Sequence, residues 1–337
     1  MSEVRGRLQG LIGGYRVSQM IRAAALIGIC DRLAAGPRTS AEVASEVGAN
    51  PDLLHRLMRA LVAFGVLAEG EDGRFSNLEM GELLRTDSPQ SLRDGALALT
   101  QESWWDAWRE LTPTVREGYI PLERVLGMPF WEMLAGDPEW AARFNGFMVN
   151  QTSVFVPEML GAFDFASRAH VVDIGGGNGA LIAGVLEANP SLRGTVFDLE
   201  AGLDGARELL ARRGVADRCS LVPGSFFESV PGDGDTYLLR MILHDWEDER
   251  AAAILATIRR ALRPESRLLV IDFLLPERAT DSPQDRWALT TDLHMHVLFG
   301  SRERTEAEMR RLLGAAGFEV ERVVPTSSTA VMVAAPA

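Results

Sequence analysis

The chain has 337 residues, of which 47% are hydrophobic and 24% are charged, and its formal net charge is −13. This length is enough for two domains with large cores, and the composition excludes a disordered or fibrous protein. The acidic excess argues against nucleic acid as a partner, because binding to phosphates depends on clustered Lys and Arg side chains. A small neutral or cationic ligand suits this charge better.

The sequence also bears on the cellular location. Its apolar runs are too short or too charged to span a bilayer, and its N-terminus lacks the apolar stretch of a secretory signal. Two widely spaced cysteines, Cys30 and Cys219, have no metal-ligand spacing and are predicted to be reduced, half-buried packing residues. We therefore expect a cytoplasmic protein that neither spans nor binds a membrane.

The first hundred residues are predicted to be mainly helical with a winged-helix outline. Helices are expected over 16–33, 40–47 and 51–64, and residues 66–75 predict a hairpin around a Glu-Asp-Gly turn. Winged helices bind DNA in some proteins and serve as dimer scaffolds in others. Residues 36–86 contain five Arg and eight Asp or Glu, which favours a scaffold because phosphate contact needs a basic face.

Residues 101–165 are predicted to form a helical segment between an N-terminal domain (1–100) and a C-terminal domain (166–337). This segment is rich in tryptophan, with Trp104, Trp105, Trp108, Trp131 and Trp140. Aromatic side chains at this density are more often core or interface residues than ligand contacts. Their position beside the C-terminal domain also suits the roof of a pocket for a flat ligand.

The C-terminal domain has the alternating pattern of an α/β fold. Strands are expected at 170–174, 194–197, 219–222, 235–239 and 267–272. Helices are expected at 179–188, 203–212 and 248–262. This order predicts a Rossmann-like, doubly wound domain with a parallel sheet. A helix at 305–316 and strands at 318–324 and 329–334 are predicted to complete it with a hairpin at the sheet edge.

A glycine-rich turn after the first of these strands carries the sharpest signal, His-Val-Val-Asp-Ile-Gly-Gly-Gly-Asn-Gly over 170–179. Glycine allows a backbone to approach a ligand closely. Dinucleotide enzymes use the spacing G-x-G-x-x-G, whereas this turn has Gly175-x-Gly177-x-Gly179 with Asp173 before it. That variant suits a nucleoside that carries an amino acid and lacks a pyrophosphate. A tight turn without a ligand is the alternative.

Two later segments extend this predicted cofactor site. Asp198, at the end of the second strand and about 20 residues beyond the glycines, is placed to accept hydrogen bonds from ribose hydroxyls. An acid at a helix N-terminus is the alternative reading of Asp198. In the turn 223–227, Ser225 is placed to bond an adenine amine and Phe226 to cover its ring.

The catalytic candidate is His244, just past the fourth strand. A phenol has a pKa of about 10 and an imidazole of about 6.5, so a neutral histidine can accept the proton that an attacking hydroxyl loses. Complete transfer before attack would be uphill by roughly 5 kcal/mol, so we expect concerted transfer or help from a carboxylate. Asp272 and Glu303 are the acids available. A structural histidine is the alternative.

A metal site in Asp292-Leu-His294-Met-His296 would require a strand, because a helix places alternate residues on different faces. The run 284–299 contains no Gly or Pro. It predicts a helix, and we therefore expect no metal site there.

Five motifs occur in order along nearly the whole chain: Val-Val-Asp-Ile-Gly-Gly-Gly-Asn-Gly, Phe-Asp-Leu, Gly-Ser-Phe-Phe, Leu-His-Asp-Trp and Gly-Ser-Arg-Glu-Arg-Thr. In this combination the sequence resembles the small-molecule O-methyltransferase family of the caffeate and hydroxyindole type, and its bacterial secondary-metabolite branch most. The resemblance implies a class I methyltransferase fold that uses S-adenosylmethionine and releases S-adenosylhomocysteine. It also implies an N-terminal dimerisation domain, a homodimer, a small aromatic acceptor and no metal.

The resemblance assigns roles to single residues. His244 matches the general base, and Asp272 and Glu303 match the two acids that flank it. The predicted cofactor contacts are Gly175, Gly177, Asp198, Leu199, Gly224, Ser225, Phe226 and Arg240. The predicted acceptor contacts are Met148, Met241, Asp292 and Met295. Many relatives have Asp in place of Ser225 and Glu in place of Asp272.

Three other functions stay open at this point. A relative that methylates nitrogen, or uses the cofactor for a non-methylating reaction, is disfavoured by His244, since a non-methylating relative needs no base there. A winged-helix regulator that senses a small molecule is disfavoured by the acidic N-terminal domain. A nicotinamide oxidoreductase is disfavoured by the glycine spacing.

Overall fold

The computed structural model describes residues 3–327 and 329–337, without the side chains of residues 131, 135, 138, 139, 142, 143, 145, 149–151, 153 and 154. These residues form two compact units. The N-terminal unit consists of the chain up to Trp105 together with Asp137–Asn150. The C-terminal unit consists of Asp106–Gly136 and Gln151–Ala337. The chain therefore passes between the two units more than once.

Helices dominate the chain up to residue 162. They are α1 (Glu3–Ile12), α2 (Tyr15–Ile27), α3 (Ile29–Arg32), α4 (Ser40–Val47), α5 (Pro51–Ala63), α6 (Glu79–Glu82), α7 (Arg93–Ala98), α8 (Glu102–Arg109), α9 (Leu111–Glu117), α10 (Pro121–Leu126), α11 (Phe130–Gly136) and α12 (Pro138–Ala162). Three short strands are β1 (Arg38–Thr39), β2 (Leu67–Glu69) and β3 (Arg74–Asn77). They form an antiparallel sheet in the order β1-β3-β2.

Local signals explain the winged-helix arrangement of the N-terminal unit. Thr39 and Glu42 form a capping box at the start of α4, and the Asn50 side chain caps α5. The helix predicted over 16–33 is interrupted, because Gly28 adopts φ 74° and ends α2. The core of this unit consists mainly of Ile29, Val43, Leu54, Met58, Leu61, Leu67 and Phe75.

The C-terminal unit alternates strands and helices, as predicted. Its strands are β4 (His170–Ile174), β5 (Arg193–Asp198), β6 (Cys219–Pro223), β7 (Thr236–Arg240), β8 (Arg267–Asp272), β9 (Leu274–Leu275), β10 (Arg304–Thr305), β11 (Phe318–Pro325) and β12 (Ala330–Pro336). Its remaining helices are α13 (Ala180–Ala188), α14 (Ala206–Arg212), α15 (Asp248–Ala261), α16 (Pro283–Phe299) and α17 (Glu306–Ala315). Short 3₁₀ turns lie at Glu200–Leu203, Ala216–Arg218 and Leu243–Asp245.

Seven strands form the main sheet in the order β11-β12-β8-β7-β4-β5-β6. The five strands from β8 to β6 are parallel, and β12 joins β8 antiparallel, with β11 as its hairpin partner at the edge. The strand order reverses at β4, which lies between β5 and β7. In such sheets, ligands bind at the carboxyl ends of the strands beside this switch point.

Most boundary predictions for this unit hold within a few residues. The fourth strand is shifted by one residue from the predicted 235–239, which makes Arg240 its last residue. The helix predicted from 203 starts only at Ala206, because a 3₁₀ turn precedes it. The prediction of a helix over 284–299 is confirmed by α16. The sequence analysis did not predict the parallel pairing of β9 with β10.

Both cysteines are free, and Cys219 is half-buried as predicted. The prediction was wrong for Cys30, which is fully buried in the core of the N-terminal unit. None of the helices in the described part of the chain has the length and apolar character needed to cross a bilayer.

Candidate active site

The turn after β4 requires glycine for steric as well as conformational reasons. Gly175 and Gly177 have φ angles of 68° and 55°, which disfavour other residues. A Cβ atom on Gly175 would lie 2.4 Å from Cδ1 of Ile242. Apart from Gly177 itself and its two chain neighbours, no atom of the described residues lies within 4 Å of a Cβ on Gly177. The turn is thus tightly held on one side and open beside Gly177.

Asp198, the last residue of β5, is hydrogen-bonded to this turn. Its carboxylate accepts from the backbone N–H of Gly177 at 2.8 Å and from that of Leu199 at 2.7 Å. Burial raises the pKa of Asp198, and these two bonds oppose the rise. Each carboxylate oxygen can accept a second bond. Asp198 therefore retains the capacity to accept hydrogen bonds from two ligand hydroxyls.

The turn after β6 brings an aromatic ring to the same place. A Cβ on Gly224 would lie 2.5 Å from the Phe197 ring, so this position also needs glycine. Ser225 Oγ accepts a hydrogen bond from the backbone N–H of Phe227. The Phe226 ring lies 3.9 Å from the position of a Cβ on Gly175. Gly175 after β4, Asp198 at the end of β5 and Phe226 after β6 are therefore close together.

A buried carboxylate, Asp173, and a half-buried guanidinium, Arg240, belong to this region. Asp173 is 2% exposed, and burial raises its pKa to about 7 although Arg240 lowers it. Arg240 donates to Thr152 Oγ1 at 3.1 Å and stacks on the Phe155 ring, and burial lowers its pKa to about 10. Within the described residues, Asp173 Oδ2 and Arg240 Nε have no hydrogen-bond partner. Unsatisfied buried groups of both charges fit a zwitterionic ligand such as an amino acid moiety.

A second cluster lies at the ends of β7 and β8. His244 sits in the 3₁₀ turn after β7 and is 6% exposed, while Asp272 and Glu303 are still more buried. His244 Nδ1 lies 2.8 Å from Glu303 Oε1 and 3.9 Å from Asp272 Oδ1. His244 Nε2 lies 3.5 Å from Asp245 Oδ1. The structure thus brings together the three residues predicted as catalytic.

The charges in this cluster change the proton affinity of each member. Burial alone would lower the pKa of His244, but Glu303, Asp245 and Asp272 raise it to about 10. Burial raises the pKa of Asp272 to about 8 and that of Asp245 to about 6. No hydrogen-bond partner for either Asp272 oxygen exists among the described residues. The unperturbed imidazole value of about 6.5 therefore does not apply to His244.

The predicted acceptor contacts lie on different elements of the chain. Met241 follows β7 and has φ 55°, the one positive value for a non-glycine among the described residues, so its backbone is strained. Met295 and Asp292 lie on α16, where Met295 is buried. The Asp292 carboxylate accepts from the backbone N–H of Glu303 at 2.9 Å. Met148 lies on the part of α12 that belongs to the N-terminal unit.

Sequence analysis missed two residues that contact the catalytic cluster or hold its backbone, Asp245 and Arg304, and it predicted Asp292 only as an acceptor contact. Asp245 follows His244 directly, and Asp292 contacts the backbone of Glu303. Arg304 follows Glu303 and is buried, with three hydrogen-bonding partners around the turn of His244. The one feature of the sequence that could have drawn attention to Arg304 is its position directly after Glu303, a predicted catalytic acid. The contacts of Arg304 could not be predicted, because its partners Leu243, Trp246 and Asp248 lie far away in the sequence.

Comparison with protein-family models matches both parts of the chain. Residues 108–319 match the O-methyltransferase domain, and residues 9–87 match the O-methyltransferase dimerisation domain. The chain is 38% identical to a phenazine O-methyltransferase of Lysobacter antibioticus, over 94% of this chain and 92% of that protein. It is also 38% identical to a mitomycin biosynthesis 6-O-methyltransferase of Streptomyces lavendulae, over 94% and 89%.

A more distant relative methylates nitrogen. The 8-amino-8-demethylriboflavin N,N-dimethyltransferase of Streptomyces davaonensis is 33% identical over 92% of this chain and 89% of that protein. The matched segments alone therefore do not distinguish an oxygen acceptor from a nitrogen acceptor.

Solved structures agree with the sequence comparisons. The crystal structure of LaPhzM superposes with a TM-score of 0.93 at 36% identity and covers 100% of both chains. The O-methyltransferase NcsB1 from neocarzinostatin biosynthesis superposes with a TM-score of 0.80 at 32% identity, covering 95% and 96%. That structure contains S-adenosylmethionine and 2-hydroxy-5-methyl naphthoic acid.

Proposed function

Because the chain belongs to the S-adenosylmethionine-dependent O-methyltransferase family, we propose that it methylates a hydroxyl of a small aromatic secondary metabolite with His244 as general base. The observation that carries this proposal is the buried hydrogen bond between His244 Nδ1 and Glu303 Oε1 at 2.8 Å. An ionised carboxylate only accepts hydrogen bonds, so Nδ1 holds a proton. In the neutral imidazole, Nε2 is then free to take the proton of the acceptor hydroxyl.

The cofactor-binding residues fit S-adenosylmethionine in our proposal. Gly177 leaves open space, Asp198 has spare acceptor capacity for ribose hydroxyls, and Phe226 lies beside the glycine turn. The residues proposed to hold the cofactor are Gly175, Gly177, Asp198, Leu199, Gly224, Ser225, Phe226 and Arg240. When bound, S-adenosylmethionine supplies an electrophilic methyl group and a positive charge that lowers the pKa of His244.

The raised pKa of His244 determines how the proton moves. A pKa of about 10 makes His244 a base about as strong as a phenolate, but it also keeps the imidazole protonated at neutral pH in the free protein. The positive charge of the bound cofactor would lower this pKa and so favour the neutral imidazole that accepts the proton. The acceptor O–H bond breaks toward Nε2 as the new oxygen–methyl bond forms and the sulfur–methyl bond breaks. Glu303, hydrogen-bonded to Nδ1, then stabilises the imidazolium, and Asp272 adds to this stabilisation where it is ionised. Holding both reactants in one orientation supplies much of the remaining acceleration.

The acceptor is proposed to be aromatic because one relative is a phenazine O-methyltransferase and a structural neighbour binds a naphthoic acid. Met241, Met295 and Met148 are polarisable side chains that suit contact with a flat ring. Asp292 is proposed to line the pocket, in addition to its bond to the Glu303 backbone.

We propose that the transfer uses no metal, although His244, Asp272 and Glu303 lie close enough to hold one. A metal on Nδ1 would displace the proton that the bond to Glu303 requires. Incubation with EDTA, followed by removal of the chelator, should leave turnover unchanged. A loss of turnover that Zn²⁺ or Mg²⁺ restores would contradict a metal-free mechanism.

The proposed assembly is a homodimer through the N-terminal domain, residues 1–100, linked by residues 101–165 to the catalytic domain, residues 166–337. The match of residues 9–87 to the dimerisation domain supports this role. The excess of acidic residues over Arg in 36–86 supports the absence of DNA binding. Light scattering should give twice the chain mass of 36.8 kDa.

The test is transfer of isotopically labelled methyl from S-adenosylmethionine to matched pairs of acceptors. Hydroxylated naphthoates and phenazines are compared with their amino analogues, and products are identified by mass spectrometry. We expect label on oxygen and none on the amines, with His244→Gln reducing the transfer. Label only on nitrogen, or equal transfer by His244→Gln, would contradict the proposal.

A further inference from the structure

Arg304 is a buried arginine that does not enter the proposed reaction. It is 2% exposed, and each part of its guanidinium has a partner. Nη1 donates to the carbonyl of Leu243 at 2.8 Å, and Nη2 donates to that of Trp246 at 2.8 Å. Nε donates to Asp248 Oδ1 at 2.9 Å. A buried guanidinium is costly unless paired in this way, so its position is closely defined.

The two carbonyls bound by Arg304 flank the turn that carries the base. Leu243 directly precedes His244, and Trp246 follows Asp245, the residue near His244 Nε2. No side chain caps this 3₁₀ turn, and the backbone is strained two residues before it at Met241. Arg304 therefore holds both ends of a turn that has little local stabilisation of its own.

The same short segment supplies the hydrogen-bond partner of the base. Glu303 precedes Arg304, and its carboxylate reaches His244 Nδ1 at 2.8 Å. Pairing of Arg304 with Leu274 in the β9–β10 ladder fixes the segment beside the end of β8. Asp292 accepts from the Glu303 backbone N–H. In this dipeptide, the Glu303 side chain contacts the imidazole of His244, and the Arg304 side chain contacts the backbone of the turn that carries His244.

We propose that Arg304 is a positioning residue that sets the distance between His244 and Glu303 by clamping the 243–246 turn. This inference rests on the proposed function for its catalytic meaning, whereas the clamp itself concerns only the geometry of His244. Arginine is needed because its planar fork donates in three fixed directions at once. Lysine has a single ammonium group and cannot reach two carbonyls and a carboxylate in this arrangement.

The experiment follows the imidazole of His244 by ¹⁵N NMR as a function of pH, assigned by comparison with His244→Asn. Glu303, Asp245 and Asp272 face this ring and govern its titration. Arg304→Met is compared with Arg304→Lys and with the matched control Arg302→Met. Arg302 lies two residues earlier, is exposed and pairs with Glu308. Thermal unfolding and S-adenosylhomocysteine affinity are measured for each variant.

We expect Arg304→Met to lower the apparent pKa of His244 by at least about one unit and to broaden its resonances, with cofactor affinity within about twofold. Arg304→Lys keeps the positive charge and should lower this pKa at least as much, because Arg304→Met also removes a cation whose loss raises the pKa of His244. Arg302→Met should match wild type. A folded Arg304→Lys whose His244 titrates as in wild type would overturn the clamp.

A second variant covers the case in which Arg304→Met does not fold. Asp248 is 67% exposed, so Asp248→Asn removes the ion pair with Arg304 without disturbing the core. It should shift the His244 titration in the same direction by a smaller amount, and an unchanged titration would overturn the inference. If the titration shifts as expected but His244→Gln still transfers methyl normally, the positioning role of Arg304 is supported and the role of His244 as general base is contradicted.

Discussion

The two clusters at the carboxyl edge of the sheet are built in different ways. The proposed cofactor side consists largely of backbone around the glycines at 175, 177 and 224, with the half-buried carboxylate of Asp198 bonded to the turn and with Asp173 and Arg240 beside it. The proposed catalytic side consists of buried ionisable side chains, with His244, Asp272 and Glu303 each at most 6% exposed. The proposed cofactor cluster thus leaves space for a ligand and can form hydrogen bonds with it, whereas the proposed catalytic cluster can bind and release a proton.

This difference implies a division of work between the two clusters. Backbone and glycine positions define a shape, so changes there should act on cofactor binding. Buried ionisable groups determine one another's pKa values, so changes there should act on turnover and its pH dependence. Variants that separate these two effects test the comparison.

The largest expected effect is that of His244→Ala. Removal of the base should lower kcat by about 100- to 10,000-fold, while the affinity for S-adenosylhomocysteine stays within about twofold. Calorimetry and initial rates with the same acceptor measure the two quantities. Turnover near the wild-type level would mean that orientation of the reactants alone carries the reaction.

The next effect is that of Glu303→Gln, which keeps the shape of the side chain. Glu303 raises the pKa of His244, so its neutralisation should move the acid limb of the kcat/KM profile to lower pH. The weaker and less well oriented base should also reduce kcat by roughly 100-fold. An acid limb that stays in place would show that His244 is not the group that titrates.

Asp198→Ala changes the proposed cofactor cluster and should act mainly on cofactor binding. Loss of a charged acceptor should weaken S-adenosylhomocysteine binding by roughly tenfold, with a smaller effect on kcat at saturating cofactor. Asp204→Ala, an exposed acid in the following loop, is the matched control. Unchanged affinity in Asp198→Ala would remove the ribose assignment.

The smallest expected effect concerns stability. The pKa of Asp272 is raised from its ordinary value to about 8, so the folded state binds its proton more tightly than the unfolded state does. Its contribution to stability is therefore present at low pH and is lost as the pH rises from about 4 to 8. Asp272→Asn should match wild type at pH 5 and be more stable than wild type at pH 8, because the asparagine does not ionise. A wild type that loses no more stability than Asp272→Asn across this range would contradict the assignment.

The two clusters also differ in how far the sequence could predict them. The glycine turn and Asp198 lie at the ends of adjacent strands whose pattern is readable locally, and the α/β fold was predicted in the same way. The bond between His244 and Glu303 joins residues 59 positions apart. It depends on the two-residue pairing of β9 with β10, which is too short to leave a pattern in the sequence. The resemblance supplied this pair of residues, but not the clamp by Arg304.

The pKa values could not be read from the sequence for a related reason. Asp245 and Asp272 act on His244 only because the fold buries all of them together. The sequence predicted help from Asp272 or Glu303 but not the size of the pKa shift or the contribution of Asp245, since desolvation and nearby charge are properties of the packed site. The domain boundaries at 100 and 165 and the individual roles of the site residues stay predictions.

The most direct test of the division of work is a double-mutant cycle in kcat/KM for His244→Ala and Asp198→Ala. If the two clusters act independently, the free-energy effects of the single variants should add in the double variant to within about 0.5 kcal/mol. A coupling energy well above this value would mean that cofactor binding and proton transfer are not separate, and would contradict the account.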